Sequence, residues 1–237
     1  MRRAIVTGGT RGIGRAIAEA ILAAGGSVAI TGRDKVTVDA AVAELSKGLD
    51  ERPLRVVGAA VDVRDRAAVE RLVAAAVRVF GGLDTLINNA GVGAFSTVEE
   101  MTDEDWSRVV DTNLTGVFNC TRAAIPALRA HGGWIINIAS LAGRNFFSGG
   151  AAYCASKAAV IAFSECVMQE VRYDNIRVSV VLPGSVATDF GGPSDGDASW
   201  KLTGGDVAEV VMDLLRHPGR SLPSHVEIRP SKPAKKK

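Results

Sequence analysis

The chain has 237 residues, of which 47% are apolar and 23% are charged, and its formal net charge is +2. The composition is typical of a soluble globular protein, and the charge gives no reason to expect nucleic-acid binding. No segment approaches the ~20 apolar residues that a membrane span needs. Three cysteines without Cys-x-x-Cys spacing (Cys120, Cys154 and Cys166) indicate reduced, largely buried thiols, so we expect a cytoplasmic protein.

The first predicted unit is a short strand over 4–6, a glycine-rich turn over 7–14 and a helix that starts near Ile13 and ends at Gly25-Gly26. Glycines let a backbone approach a pyrophosphate, and a helix N-terminus offers N–H groups to it. The spacing is Gly-x-x-x-Gly-x-Gly rather than the commoner Gly-x-Gly-x-x-Gly. The pattern predicts a phosphate-binding turn, and a tight turn without a ligand is the alternative.

The second strand is predicted over 27–31, and its end bears on the choice of cofactor. A site for NAD commonly has an acid there to hold the ribose 2′-hydroxyl. This chain has Gly32-Arg33 instead, with Asp34 one position further. Arg33, assisted by Arg11, could bind a 2′-phosphate through charge-assisted hydrogen bonds. The sequence therefore favours NADP(H) and leaves NAD(H) open. The alternative is that both arginines are surface residues without a role in cofactor binding.

Further candidates for cofactor contacts follow the third and fourth strands. Asp62 and Val63 come after the third strand, where a carboxylate could meet an adenine amino group. Asn89, Ala90 and Gly91 come after the fourth, where small residues suit a backbone that lies close to a ribose. A plain asparagine-rich turn is the alternative.

Tyr153 and Lys157 are four residues apart in a predicted helix and therefore share one face of it. A phenol ordinarily loses its proton near pH 10, and a neighbouring ammonium lowers that pKa, which makes Tyr153 a candidate general acid/base. Ser140 follows the fifth strand, so both hydroxyls are expected at the carboxyl edge of the sheet. Alone the pair is weak evidence, because this spacing also occurs by chance on solvated helices.

Strands and helices alternate along the chain without an internal repeat. Strands are predicted over 4–6, 27–31, 54–61, 85–88, 134–138, 177–182 and 225–228. Helices are predicted from Ile13, over 36–47, from the cap Asp65 to Phe80, over 103–130 with a kink at Pro126, and over 151–171 and 206–215. This alternation predicts a single-domain α/β protein over 1–230, with a doubly wound parallel sheet of about seven strands and helices on both faces. Residues 231–237 read as a basic disordered tail.

With these motifs in order over nearly its whole length, the chain resembles the short-chain dehydrogenase/reductase family. The resemblance implies a Rossmann-type domain that binds NAD(P). The matching pieces are the 7–14 turn, Asp62-Val63, 88–91, Asn113, Ser140, Tyr153 with Lys157, and Pro183-Gly184 followed by Thr188.

The resemblance implies four catalytic residues: Asn113, Ser140, Tyr153 and Lys157. Ser140 would bond the substrate carbonyl, Tyr153 would deliver the proton as hydride leaves the nicotinamide, and Lys157 would bind the ribose and lower the tyrosine pKa. Asn113 would hold a water of the proton relay, although it could instead be a structural amide, and Ser140 could be a turn cap. The implied cofactor residues are Gly8, Thr10, Arg11, Gly12, Ile13, Gly14, Arg33, Asp62, Val63, Asn89, Ala90, Gly91, Tyr153, Lys157, Pro183, Gly184, Val186 and Thr188.

Candidate substrate residues are placed by their position after strands that end at the ligand edge. The aromatic members favour a hydrophobic carbonyl compound, and Arg144 could anchor an anion. The segment before the helix at 206 is short, so a short lid is expected, and 191–198 looks mobile. The candidates are Gly93, Phe95, Arg144, Phe146, Phe147 and Trp200.

The sequence thus predicts an NADP(H)-dependent oxidoreductase acting on a ketone or secondary alcohol, such as a carbonyl reductase, with a 3-oxoacyl thioester reductase as one specific version. The alternatives are a catalytically silent NADP(H)-sensing protein and an isomerase or epimerase on the same fold. We expect a small-molecule substrate, no membrane, and no metal, because the three histidines lack metal-like spacing. The family resemblance implies a homotetramer or homodimer built through the helices over 103–130 and 151–171.

Overall fold

The computed structural model describes residues 2–50, 53–188, 190 and 198–233. Its centre is a parallel sheet of seven strands in the order β3-β2-β1-β4-β5-β6-β7. The order reverses between β1 and β4, which is the switch point where such sheets bind ligands. The strands are β1 (Arg3–Val6), β2 (Ser27–Gly32), β3 (Val56–Ala60), β4 (Thr85–Asn88), β5 (Gly133–Ile138), β6 (Ile176–Pro183) and β7 (His225–Ile228).

Helices cover both faces of this sheet, as predicted. Helices α1, α2 and α7 bury their apolar sides on one face, while α3, α5 and α6 pack on the other. The strands serve both cores by alternation: Ile5 faces the second core, whereas Ala4 and Val6 face the first. The helices are α1 (Gly12–Ala23), α2 (Lys35–Leu45), α3 (Arg66–Phe80), α4 (Asp103–Val110), α5 (Gly116–Arg129), α6 (Ala151–Val171) and α7 (Gly204–Arg216).

The helical stretch predicted over 103–130 is divided at a different place from the one expected. A π-helical turn over Asp111–Thr115 separates α4 from α5, and α5 continues through Pro126 to Arg129. A π-turn widens the helix by one residue and is frequent at functional sites. Here it contains Asn113, so the irregularity lies at a predicted site residue.

Most other predicted boundaries are confirmed within a few residues. Asp65 caps α3 by accepting from the Ala68 N–H, and a reciprocal capping box between Thr203 and Asp206 starts α7 at Gly204. Of the segment 191–198, predicted to be mobile, residues 191–197 lie outside the described residues, as do the last four residues of the predicted basic tail.

One helical stretch, Ala151–Asp174, has the length and apolar composition of a membrane span, contrary to the expectation from the sequence. Long core helices of globular domains meet the same criterion. This stretch contains α6, whose buried side chains include the polar residues Ser156, Lys157 and Ser164. Each of the three is hydrogen-bonded within the domain, as is typical of polar side chains in a core helix.

The three cysteines are free thiols, as predicted, but only two of them are buried. Cys120 and Cys154 lie in the interior, whereas Cys166 is exposed on α6. Burial raises the pKa of Cys120 to about 12, which keeps this thiol protonated and unreactive.

Candidate active site

A cavity of about 1240 Å³ lies at the carboxyl edge of the sheet. Residues that follow each of the seven strands line it, from the glycine-rich turn after β1 to Arg229 and Pro230 after β7. Every cofactor residue implied by the family resemblance contributes to its wall except Gly14. The residues predicted as a cofactor site are therefore brought together.

Hydrogen bonds connect the glycine-rich turn to the end of β4. Thr7 Oγ1 accepts from the backbone N–H groups of Asn89 and Ala90, both at 3.0 Å. Asn89 Nδ2 donates back to the carbonyls of Thr7 and Gly8, at 3.0 and 3.1 Å. A Cβ at Gly14 would lie 2.4 Å from both Asn89 Nδ2 and the Gly8 oxygen, so glycine is required there for packing.

Helix α1 begins at the floor of the cavity without a capping side chain. Its N-cap residue, Arg11, makes no side-chain cap bond, and Gly12 has a φ of +55°. Thr188, from the segment after β6, lies 3.3 Å from the position of a Cβ at Gly12. Thr188 thus lies next to the start of α1, whose first N–H groups are not capped by the Arg11 side chain and are of the kind that bind an anion.

Arg33 and Asp34, just after β2, both line the cavity, and Asp34 also caps α2. Asp34 accepts from the Thr37 N–H at 2.8 Å and its Oγ1 at 2.6 Å, which caps α2 and lowers the Asp34 pKa. Asp62 pairs with Arg64 at 2.6 Å, and this hydrogen bond, with a smaller contribution from Arg33, lowers its pKa. The adenine-side carboxylate predicted at Asp62 is thus part of an ion pair.

Ser140, Tyr153 and Lys157 meet on the other side of the cavity. Ser140 and Tyr153 both line the cavity, and Ser140 Oγ accepts from the Ala142 N–H at 3.1 Å. Lys157 is 5% exposed, its Nζ donates to the Ile138 carbonyl at 2.9 Å, and it lies 5.8 Å from the centre of the Tyr153 ring. Ser140 is therefore both a site hydroxyl and a turn cap.

The direction of the Tyr153 pKa differs from the one expected. Burial raises the pKa of Tyr153, and the hydrogen bond from Ser140 only partly opposes it. Burial also lowers the pKa of Lys157 to about 8. The prediction that the ammonium lowers the tyrosine pKa neglected desolvation, which penalises both charged forms when the pair lies inside the protein.

Asn113 lies behind the cavity wall rather than on it. It is fully buried in the π-helical turn, and its Oδ1 accepts from the Val92 N–H at 2.8 Å. Its Nδ2 donates to the Val92 carbonyl at 2.9 Å and to Ser156 Oγ at 3.0 Å. The side chain thus bonds neighbouring backbone, as in the structural alternative considered from the sequence.

The predicted substrate residues divide into two groups. Phe95, Phe147 and Trp200 line the cavity, and a Cβ at Gly93 would lie 2.8 Å from the Phe95 ring. Phe190, which the sequence reasoning missed, lines the cavity as well. Its position two residues after Thr188, in the segment that follows β6, was the available signal.

Arg144 and Phe146 do not line the cavity. Arg144 Nη1 donates to Glu227 at 2.9 Å and Nη2 contacts His225 Nδ1 at 2.8 Å, so its charge is directed to β7. Phe146 is 71% exposed. Both belong to the loop after β5, and position in a loop does not tell which side chains point inward.

Comparison with known proteins places the chain in a family. The family model for short chain dehydrogenases matches residues 2–198. An uncharacterized oxidoreductase of Staphylococcus saprophyticus is 34% identical over 229 residues, which is 96% of each chain. The 3-oxoacyl-[acyl-carrier-protein] reductase FabG of Chlamydia muridarum is 38% identical over 190 residues, 80% of this chain and 75% of the relative. The chain belongs to the short-chain dehydrogenase family and is an oxidoreductase of that family.

Solved structures agree with this assignment over almost the entire fold. An alcohol dehydrogenase from the archaeon Thermococcus sibiricus, complexed with 5-hydroxy-NADP, superimposes with a TM-score of 0.89 and 28% identity, covering 99% of this chain and 98% of the other. A closed form of serine dehydrogenase complexed with NADP+ gives a TM-score of 0.87 and 31% identity, covering 98% and 96%. The predicted Rossmann-type fold is confirmed.

Among the described residues, no group of three or more histidine, cysteine, aspartate or glutamate side chains could hold a metal ion.

Proposed function

We propose that this chain is an NADP(H)-dependent oxidoreductase that transfers hydride between the nicotinamide and a ketone or secondary alcohol. Tyr153 serves as the general acid/base. The observation that carries the proposal is the convergence of Tyr153, Ser140 and the buried Lys157 on the cavity that the glycine-rich turn also lines.

The residues of the cavity fit a dinucleotide. The uncapped first turn of α1 and Thr188 would hold the pyrophosphate, and Gly91 and Lys157 would lie against the nicotinamide ribose. A Cβ at Gly91 would lie 3.5 Å from Lys157 Nζ, so these two residues form one surface. When bound, the nicotinamide supplies or accepts the hydride.

The protein supplies the proton and stabilises the charge that develops on the carbonyl oxygen. Because burial raises the pKa of Tyr153, its phenol is protonated at neutral pH and Oη can donate to the substrate oxygen. Ser140 Oγ offers a second hydroxyl to the same oxygen. Lys157, held by the Ile138 carbonyl, remains close to the Tyr153 ring and can stabilise the phenolate that proton donation leaves.

A preference for NADP(H) is supported at the end of β2. Arg33 and Arg11 line the cavity, and Asp34, which lines it as well, uses its Oδ1 to cap α2. The solved structures of the Thermococcus sibiricus alcohol dehydrogenase and of serine dehydrogenase contain 5-hydroxy-NADP and NADP+, respectively. NAD(H) remains the less favoured cofactor.

Assembly and location are part of the same proposal. Phe118 is exposed on α5 and meets Phe163 of α6 edge to face at 6.4 Å, which gives the two helices an apolar surface for a homodimer or homotetramer. The three free thiols support a cytoplasmic location. The proposed substrate of this single-domain protein is a small-molecule carbonyl compound or alcohol.

The first experiment follows oxidation of NADPH and NADH with ketones, diketones and 3-oxoacyl thioesters, in the wild type and in Tyr153→Phe. We expect Tyr153→Phe to lower kcat by about 10²- to 10⁴-fold with little change in the Kd for NADPH, because it loses only the transferable proton. Tyr173→Phe, at the exposed second tyrosine, is the matched control and should turn over normally. Binding of NADPH without turnover of any carbonyl compound would favour the sensing protein instead.

The cofactor preference is tested with Arg33→Ala. Loss of charge-assisted bonds to a 2′-phosphate should weaken NADPH binding about tenfold or more and leave NADH binding nearly unchanged. Lys35→Ala, two positions away in the first turn of α2 and paired with Asp39, is the control for a general change of charge. Equal losses for both cofactors, or wild-type preference for NADH, would overturn the role of Arg33.

A further inference from the structure

Two phenyl rings contact the side chain of Tyr153 in the wall of the cavity. The Phe95 ring meets it edge to face, with centroids 5.7 Å apart at 65°, and the Phe190 ring lies 5.4 Å away at 48°. Phe147 extends the group, with its centroid 6.1 Å from that of Phe95. We call Phe95, Phe147 and Phe190 the phenylalanine pocket.

These three rings come from loops after three different strands, β4, β5 and β6, and each lines the cavity. Each is between 44% and 49% exposed. Gly93 makes room for two of them, because a Cβ there would lie 2.8 Å from the Phe95 ring and 3.3 Å from the Phe190 ring. Apolar surface thus remains available beside the reacting hydroxyl.

We propose that the phenylalanine pocket selects carbonyl compounds that carry an aryl or similarly flat conjugated substituent next to the carbonyl carbon. This inference rests on the proposed reductase function and narrows its substrate class. Aromatic rings prefer offset or edge-to-face neighbours because their faces are negative and their edges positive. Rings presented at differing tilts around Tyr153 can offer edges and faces to a flat substituent that enters between them.

The arrangement distinguishes an aryl group from a saturated group of the same size. Both bury similar apolar area and gain the same hydrophobic contribution, which cannot discriminate between them. Only the aryl group also gains the free energy of an aromatic ring–ring interaction. For each phenylalanine ring this free energy corresponds to about a two- to tenfold change in kcat/KM. Arg144, which could have favoured an anionic substrate, is held by Glu227 and His225 outside the cavity.

The test compares acetophenone with cyclohexyl methyl ketone, two substrates of similar size that differ in the flat ring. We measure the ratio of their kcat/KM values in the wild type and in Phe95→Leu, Phe147→Leu and Phe190→Leu. Leucine keeps apolar bulk and removes the ring, and the different intrinsic reactivities of the ketones cancel when the ratio is compared between variants. Phe146→Leu is the matched control, since its exposed ring lies outside the cavity.

We expect the acetophenone preference to fall about two- to tenfold in at least the Phe95 and Phe190 variants and to stay unchanged in the Phe146 control. A ratio that is the same in all variants would overturn the inference, as would turnover of aliphatic ketones with none of acetophenone. Thermal melting checks each variant, and Phe→Met replaces any leucine variant that does not fold.

Failure of the proposed function is separable from failure of this inference. If NADPH binds and no carbonyl compound is reduced, the reductase proposal fails. The pocket is then tested by calorimetric binding of the two ketones to the NADP+-saturated protein. Tighter binding of acetophenone that is lost in Phe95→Leu supports the pocket, and equal Kd values overturn it.

Discussion

Replacing Lys157 by methionine tests whether burial of this lysine lowers the stability of the folded protein. The side chain is 5% exposed, and its ammonium group donates to the Ile138 carbonyl at 2.9 Å. Burial lowers its pKa from 10.5 to about 8. At pH 7 the amine is protonated in both the folded and unfolded states, so the folded state carries the full cost of burying the charge.

The sign of the pH dependence follows from the lowered pKa. Between pH 8 and 10.5 the folded protein releases the Lys157 proton while the unfolded chain still holds it. The unfolded state then binds more protons, so the free energy of unfolding rises with pH in this window. For these two pKa values the rise attributable to Lys157 is about 2 kcal/mol between pH 7 and pH 9.5.

The assay is urea denaturation of the wild type and Lys157→Met at several pH values from 7 to 9.5, at one fixed protein concentration. The wild type should gain about 2 kcal/mol relative to the variant over this range. Loss of the hydrogen bond to the Ile138 carbonyl changes the free energy of unfolding of the variant by the same amount at every pH. The difference between the two proteins in how this free energy depends on pH is therefore unaffected. Lys35→Met, at an exposed lysine, is the control and should run parallel to the wild type.

A constant difference between the wild type and Lys157→Met from pH 7 to pH 9.5 would refute the reasoning. It would mean that the pKa of Lys157 is the same in the folded and unfolded states. The conclusion that burial penalises the charged form of Lys157 would then have to be abandoned.

Three further predictions concern stability. Asn113→Ala leaves the partly buried Val92 N–H and carbonyl unpaired and should lower the free energy of unfolding by about 1–3 kcal/mol, measured by urea denaturation. Gly14→Ala places a Cβ 2.4 Å from a backbone oxygen of the glycine-rich turn, which should lower Tm and raise the KM for NADPH. Asp84→Asn should cost about 1–3 kcal/mol at pH 7 by weakening its bonds with Arg3, and the difference should shrink in acid. Burial would raise the pKa of Asp84, but the Arg3 hydrogen bonds outweigh it and lower the pKa, so this stability is present at neutral pH and is lost as pH falls through that lowered pKa.

Each of these variants has an outcome that contradicts its prediction. Asn113→Ala with wild-type stability would mean that Val92 finds other partners, and selective loss of turnover would restore the water-relay role. Gly205→Ala, where a Cβ has space in α7, is the control for Gly14→Ala. Asp39→Asn, at an exposed ion pair, is the control for Asp84→Asn. If the difference in free energy of unfolding between the wild type and Asp84→Asn persists unchanged to pH 3, the pair of Asp84 and Arg3 is not its source.

The elements and their order could be predicted from the sequence because the signals involved are local. Alternating strands and helices, glycines at the first turn and the Asp65 cap each depend on a few neighbouring residues. In a parallel sheet all carboxyl ends meet at one edge, so residues after different strands could be assigned to one site without knowing any contact. The convergence of the glycine-rich turn, Ser140 and Tyr153 on one cavity follows from that rule.

Side-chain directions in the loops required the tertiary structure. Phe146 and Phe147 are adjacent in sequence, yet only Phe147 lines the cavity. Phe190 meets Tyr153 from a loop that the sequence could not orient, and Arg144 is held by Glu227 and His225 on β7. No periodic pattern governs an irregular loop, so its inward and outward positions are decided by packing against distant segments.

The family and the fold were already contained in the order and spacing of the residues along this chain, and the same spacing suggested Tyr153 and Lys157 as the proposed acid/base pair. The electrostatic state of that pair was not contained in them. Tyr153 has a raised pKa and Lys157 a lowered one because both are desolvated, and desolvation depends on the atoms that the whole fold places around them. The same holds for Asn113, whose partner Val92 approaches it only when α4, α5 and the segment after β4 are packed together.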